Sequence, residues 1–147
     1  MRTRPVELPD RDDWLRMRDA LWPGSHQDHV REIDEFFAGT SSFIDQVFVC
    51  ESADRTAIGF IELQIRSCAE GSDSLWVPYV EGWYVDERYR GRGAGALLIV
   101  QAEQWARMLG YMELASDAQT GNRAGIDAHL ALGFEEVGRS VCFLKKL

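Results

Sequence analysis

Nothing in Met1-Arg2-Thr3-Arg4-Pro5 resembles the apolar core of an export signal, and no run approaches membrane-spanning length. Both absences predict a soluble, cytoplasmic protein. Cysteine is scarce. Cys50, Cys68 and Cys142 are odd in number and far apart, without a CxxC pair, which argues against a disulfide framework and suits a reducing compartment. They read as small buried hydrophobes rather than nucleophiles. No His, Cys and Asp grouping has the spacing of metal ligands, so no metal is expected. Basic residues are a minority, 16 against 24 acidic ones, for a net charge of −8. Nucleic acid, whose binding rests on a basic face, is disfavoured, and a cationic small molecule suits the charge better. With no linker, repeat or low-complexity tract in 147 residues, a single domain over 1–147 with a sizeable core is expected.

Hydrophobic periodicity divides the chain into elements. Residues 2–8 alternate as a strand. Asp10 or Asp12 caps a helix in which Trp14, Met17, Arg18 and Leu21 share a face, and Pro23-Gly24 ends it. Ser25 opens a second helix with Val30, Ile33 and Phe37 aligned. Strands follow at 47–51, 57–66 and 75–85, then a helix over 96–109 closed by Gly110 and a strand over 111–116. Asn122 or Thr120 caps a last helix that runs to Leu132, and 134–137 with 141–145 read as a closing antiparallel pair. The order β-α-α-β-β-β-α-β-α-β-β predicts an α/β fold with a mixed sheet, parallel where a helix crosses over.

Between the third of those strands and its crossover helix lies Arg90-Gly91-Arg92-Gly93-Ala94-Gly95. Glycine permits a sharp turn and close approach of backbone to a ligand. A helix starting there aims unpaired N–H groups and its positive dipole end at one spot, which suits a phosphate. Arg88, Arg90 and Arg92 add a local basic knot to an acidic chain. The Lys and Ser/Thr of a P-loop are replaced by Ala96 and Leu97, and the third glycine of a dinucleotide fingerprint is missing.

The pattern Arg90-x-x-Gly93-x-Gly95, the Leu132-Gly133-Phe134 helix ending and the order of elements together resemble the GNAT acyl-coenzyme A N-acyltransferases over nearly the whole chain. Narrower matches are similar to the short, chromosome-type aminoglycoside 6′-N-acetyltransferases. They are Leu21-Trp22-Pro23-Gly24-Ser25 with His29 and Glu32, Glu81-Gly82-Trp83-Tyr84-Val85, Ala115-Ser116-Asp117-Ala118 with Asn122 and His129, and Phe143-Leu144-Lys145-Lys146. The resemblance implies acetyl transfer from acetyl-coenzyme A to an aminoglycoside amine, drug resistance, and a homodimer with the C-terminal hairpin near the partner. It also implies that two strands splay apart to admit coenzyme A along Trp83, Tyr84 and Val85. The cosubstrate's diphosphate would then lie on Arg90, Gly91, Arg92, Gly93, Ala94, Gly95 and Ala96, with Asn122 nearby.

On that resemblance Asp117 holds the acceptor amine, while Glu81 binds another amine or takes its proton through water; both count as catalytic candidates. An alkyl amine is mostly protonated at neutral pH and must lose a proton to attack a thioester, so carboxylates beside the reacting carbon fit the chemistry. A backbone N–H near Trp83 to Val85 would meet the oxyanion. Trp22, His26 and Glu136 complete the candidate substrate contacts, although Trp22 also suits the core and Glu136 the surface. His26 and His29 read as surface or capping residues rather than catalysts, and His129 as packed in the last helix. The chain departs from the family in having no tyrosine between Asn122 and Leu132 to protonate the leaving thiolate. Two other functions stay open: acetylation of a polyamine, peptide or metabolite amine, and a non-catalytic coenzyme A-binding module.

Overall fold

Alternation along the strands sorts their side chains into two cores, and helices cover both. A computed structural model describes residues 1–147. Its elements are β1 (Arg2–Pro5), α1 (Arg11–Leu21), α2 (His26–Phe37), β2 (Gln46–Glu51), β3 (Ala57–Arg66), β4 (Val77–Val85), α3 (Ala94–Met108), β5 (Ala115–Ser116) and α4 (Arg123–Ala131). The five strands stand in the order β1-β2-β3-β4-β5. The first four are antiparallel, and β4 pairs with β5 in parallel across the α3 crossover.

In β2, Phe48 and Cys50 join a core with Leu98, Ile99 and Ala102 of α3. Val47 and Val49 face the other way, onto Trp14 and Met17 of α1 and Ile33 of α2. The period-2 pattern thus assigns one face of the sheet to α3 and the opposite face to the α1–α2 pair. α1 buries the expected Trp14, Met17 and Arg18.

One buried group has a measurable consequence. The Glu62 carboxylate in β3 is 2% exposed, accepts a hydrogen bond from Trp14 Nε1 at 2.8 Å, and lies 3.1 Å from Arg18 Nε. Arg18 also reaches Glu32 at 2.5 Å. Burial raises the Glu62 carboxyl from an ordinary 4.5 to about 7, against the opposing pull of Arg18 and Trp14. The folded chain therefore holds this proton more tightly than the unfolded one. The resulting stabilisation is complete below about pH 4.5 and is lost as pH rises through about 7. Chemical denaturation over that window should show a decline of about 3 kcal/mol from this group. Glu62→Gln should flatten it, and an unchanged slope in that variant would refute the assignment.

The structure departs from the sequence expectation in several places, and β1 stops at Pro5 instead of running to residue 8. β4 begins at Val77 rather than Leu75, and α3 begins at Ala94, two residues earlier than expected. The strand after α3 shrinks to Ala115–Ser116. With Tyr79 opposite Ala115, the next pairing would fall on Pro78, which has no N–H to give a ladder. Residues 134–147 form no strands at all, so the closing pair is absent: a two-residue edge on β5 is too short to template it. Lastly, only Cys50 is buried; Cys68 and Cys142 are exposed and not the buried hydrophobes expected.

Candidate active site

The β4–β5 ladder consists of two pairs, Tyr79–Ala115 and Val80–Ser116. Beyond them the strands separate, and the edge of β4 from Glu81 to Val85 has no strand partner on that side. This is the splay expected from the sequence, with its vertex at Val80 and Ser116. An extended ligand arm can pair with such an edge as an added strand would.

The open edge leads to the glycine-rich loop. A turn of 3-10 helix (Glu87–Tyr89) precedes it, and Arg90 Nε donates to the Val85 carbonyl at 2.9 Å, tying the loop to the strand end. Gly91 and Gly93 have φ of +71° and +92°, a region that favours glycine. No atom lies within 4 Å of where a Cβ would stand on either. Gly93 is the N-cap of α3, no side chain caps the helix, and its first turn is Ala94, Gly95 and Ala96. The amides of that turn are therefore unobstructed and carry the dipole's positive end, as an anion site requires. Gly95 has a separate duty, because a Cβ there would stand 3.1 Å from the Trp83 ring.

On the α1–α2 face of the vertex, two carboxylates are held in place. A register shift between Glu62 and Leu63 leaves Glu81 as the extra residue of β4. Such a bulge redirects a side chain. Glu81 accepts two hydrogen bonds from Arg66, from Nε and Nη2, both at 2.6 Å. The Arg66 guanidinium also stacks 3.6 Å above the Tyr79 ring. The Tyr79 hydroxyl donates to Asp117 Oδ2 at 2.6 Å. Burial, and the Asp117 carboxylate beside it, keep the Tyr79 phenol well above its ordinary range, so it remains a donor. Asp117 itself is exposed, and no cation pairs with it.

Trp22 belongs to this neighbourhood. Its ring lies over Gly82, so close that a Cβ there would come within 2.5 Å of it. The structure thus brings together Glu81, Asp117, Trp22, the open edge of Trp83 to Val85, and the loop.

Other sequence candidates have different partners. His26 and His29 both hydrogen-bond Asp19, at 2.6 and 2.8 Å. His29 is buried, not a surface or capping residue. Asn122 caps α4, its side-chain oxygen accepting from the Gly125 N–H at 3.0 Å. Glu136 pairs with Arg139 in the segment without ladders. Sequence reasoning missed Tyr79 and Arg66. Alternation could have placed Tyr79 on a face opposite Val80, whereas Arg66 needs the β3–β4 register to be found.

The acetyltransferase (GNAT) family pattern matches residues 11–134. An aminoglycoside N(6′)-acetyltransferase type 1 from Klebsiella aerogenes is 46% identical over 98% of this chain and 95% of its own length. The crystal structure of an aminoglycoside 6′-N-acetyltransferase from Acinetobacter haemolyticus superposes with a TM-score of 0.89 at 33% identity, covering 100% of this chain and 99% of that one. A second solved enzyme, in complex with the bisubstrate analogue CoA-S-monomethyl-acetylneamine, gives 0.88 at 31% identity over 99% and 97% of the two chains.

Proposed function

Because the chain belongs to the GNAT family of acetyltransferases, we infer that it transfers the acetyl group of acetyl-coenzyme A to the 6′-amine of aminoglycoside antibiotics, and so confers resistance to them. The observation that carries this is one sequence of features along β4: an uncapped helix N-terminus beyond its end, an unpartnered strand edge, and carboxylates at the vertex where that edge begins. Aminoglycoside 6′-N-acetyltransferases are among its neighbours in sequence and in shape.

Each residue then has a physical task within a single domain. The amides from Gly91 to Ala96 grip the cosubstrate's diphosphate, and Arg90 and Arg92 add charge. The edge of Trp83 to Val85 pairs with the pantetheine arm, and one of its N–H groups meets the oxyanion as the amine attacks. Asp117, which forms no salt bridge, binds the acceptor ammonium and orients the free amine. Glu81 shares its charge with Arg66, which suits it better to a second ammonium or a water-borne proton than to direct contact with the reacting nitrogen. Trp22 walls the sugar. Bringing the two reactants together in one ternary complex supplies much of the acceleration.

Acetylation of kanamycin followed by NMR location of the new amide tests reaction and site together. A 6′-amide is expected. Turnover of spermidine equal to or better than that of kanamycin would overturn the antibiotic assignment.

No helix is long and apolar enough to cross a membrane, and the enzyme works in the cytoplasm, beside its acetyl donor. It works there as a homodimer. Phe143 and Leu144 are 91% and 89% exposed, and a groove of about 490 Å³ beside β5 is lined by Val77, Ala106, Leu114, Leu132 and Phe134. A second copy supplies both the cover for those side chains and the strand partner that this chain's short edge lacks. Phe143→Asp should shift the species seen in sedimentation velocity from dimer to monomer. A wild-type monomer at micromolar concentration would refute the pairing.

A further inference from the structure

We propose that Ser116 and His129 form a proton relay that protonates the coenzyme A sulfur as the acetyl group leaves it. The inference presupposes acetyl transfer as inferred above, and supplies the acid that the last helix, without a tyrosine, does not otherwise provide.

His129 Nδ1 lies 2.6 Å from the Gly125 carbonyl, and its Nε2 lies 2.7 Å from Ser116 Oγ. A carbonyl only accepts, so Nδ1 carries a proton in either charge state of the ring. A hydroxyl both donates and accepts, so the Nε2 contact survives in either state too. With Nε2 bare, Ser116 donates to it. With Nε2 protonated, Ser116 accepts and its own hydrogen is free to point elsewhere. The pair thus changes protonation without moving a heavy atom. Trp83 and Phe134 pack edge-on against the ring, with centroids 5.2 and 5.1 Å away, and no carboxylate or cationic side chain hydrogen-bonds it.

Position gives the pair its target. Ser116 is the last residue paired to β4, at the vertex where the open edge begins. From Val85, the end of the edge nearest the glycine loop, four strand steps, about 13 Å, lead back along β4 to Glu81. An arm anchored by its diphosphate at the loop and paired along this edge runs toward Ser116, the residue at which the β4–β5 ladder ends. Successive residues also serve opposite faces. Asp117 meets Tyr79 on the face of Arg66 and Glu81, whereas Ser116 meets α4 on the face of α3. The amine thus attacks from the acid-lined face, and the sulfur departs toward the serine.

The transfer balances. The amine nitrogen forms its bond to the carbonyl carbon, the C–S bond breaks, and its electron pair goes to sulfur. Sulfur takes the Ser116 hydroxyl proton, Ser116 Oγ takes the Nε2 proton, and His129 is left neutral. The ring regains a proton from the water that has accepted one from the acceptor ammonium, and the second proton that the nitrogen sheds as the amide forms passes to solvent.

The test uses coenzyme A alone as well as turnover. A hydrogen bond from Ser116 stabilises the thiolate, so bound coenzyme A, followed by thiolate ultraviolet absorbance, should titrate about one pH unit higher in Ser116→Ala than in wild type. The same variant should lose kcat on the order of 10²-fold with both KM values unchanged. Ser116→Thr, which keeps the hydroxyl, should restore both, and His129→Gln should reproduce the kcat loss. Normal coenzyme A binding by Ser116→Ala with an unchanged thiol titration and full kcat would overturn the relay alone. Failure of the wild-type protein to bind coenzyme A would overturn acetyl transfer and the relay with it.

Discussion

Gly93→Val should weaken coenzyme A binding roughly a hundredfold while leaving aminoglycoside affinity nearly intact. Valine at φ +92° meets backbone strain of about 1–3 kcal/mol, which tilts the loop away from the conformation that aims its amides. The second contribution is steric. No protein atom stands near the position of the new Cβ, so the branched side chain projects into the space assigned to the diphosphate. Together these are worth about 2–3 kcal/mol of affinity, and 1.4 kcal/mol corresponds to tenfold. Calorimetric titration with coenzyme A measures it, and a thermal melt of the same variant separates lost binding from lost fold. Normal affinity in a folded variant would mean that the phosphate site lies elsewhere.

Asp117→Asn should lower kcat/KM for kanamycin by roughly 10- to 100-fold, with coenzyme A affinity unchanged. A hydrogen bond to a charged group contributes about 1.5–3 kcal/mol, and asparagine keeps the shape but not the charge. Glu81→Gln should cost less. Glu81 already shares its charge with Arg66 across two short hydrogen bonds, so less of its field reaches the antibiotic. The size of that difference comes from the tertiary structure, since the sequence does not show that Arg66 pairs with Glu81 and not with Asp117. Steady-state kinetics of both variants with kanamycin check it. An Asp117→Asn enzyme with wild-type kcat/KM would remove Asp117 from the acceptor site.

Most of what makes the proposed cosubstrate site was legible along the chain. Gly91, Gly93 and Gly95 are contiguous, helix initiation is local, and the amides of one turn need no distant residue to form an anion site. The strand that feeds both cores was legible too, whereas the sorting of Val47 and Val49 to one face and Phe48 and Cys50 to the other was seen only in the structure. Strand pairing was less legible. The expected C-terminal hairpin has the right apolar pattern, yet an edge of two residues gives it nothing to pair with.

Local order and turn chemistry therefore determined the glycine-rich loop and the helices, because each depends on neighbours within a few residues. Only the tertiary structure decided what Glu81 and Asp117 face. Arg66 on Glu81, Tyr79 on Asp117 and His129 on Ser116 are contacts between elements, set by a bulge in one ladder and the early end of another. Register shifts of a single residue redirect side chains without changing composition, and for that reason the division of labour at the vertex is a property of the fold.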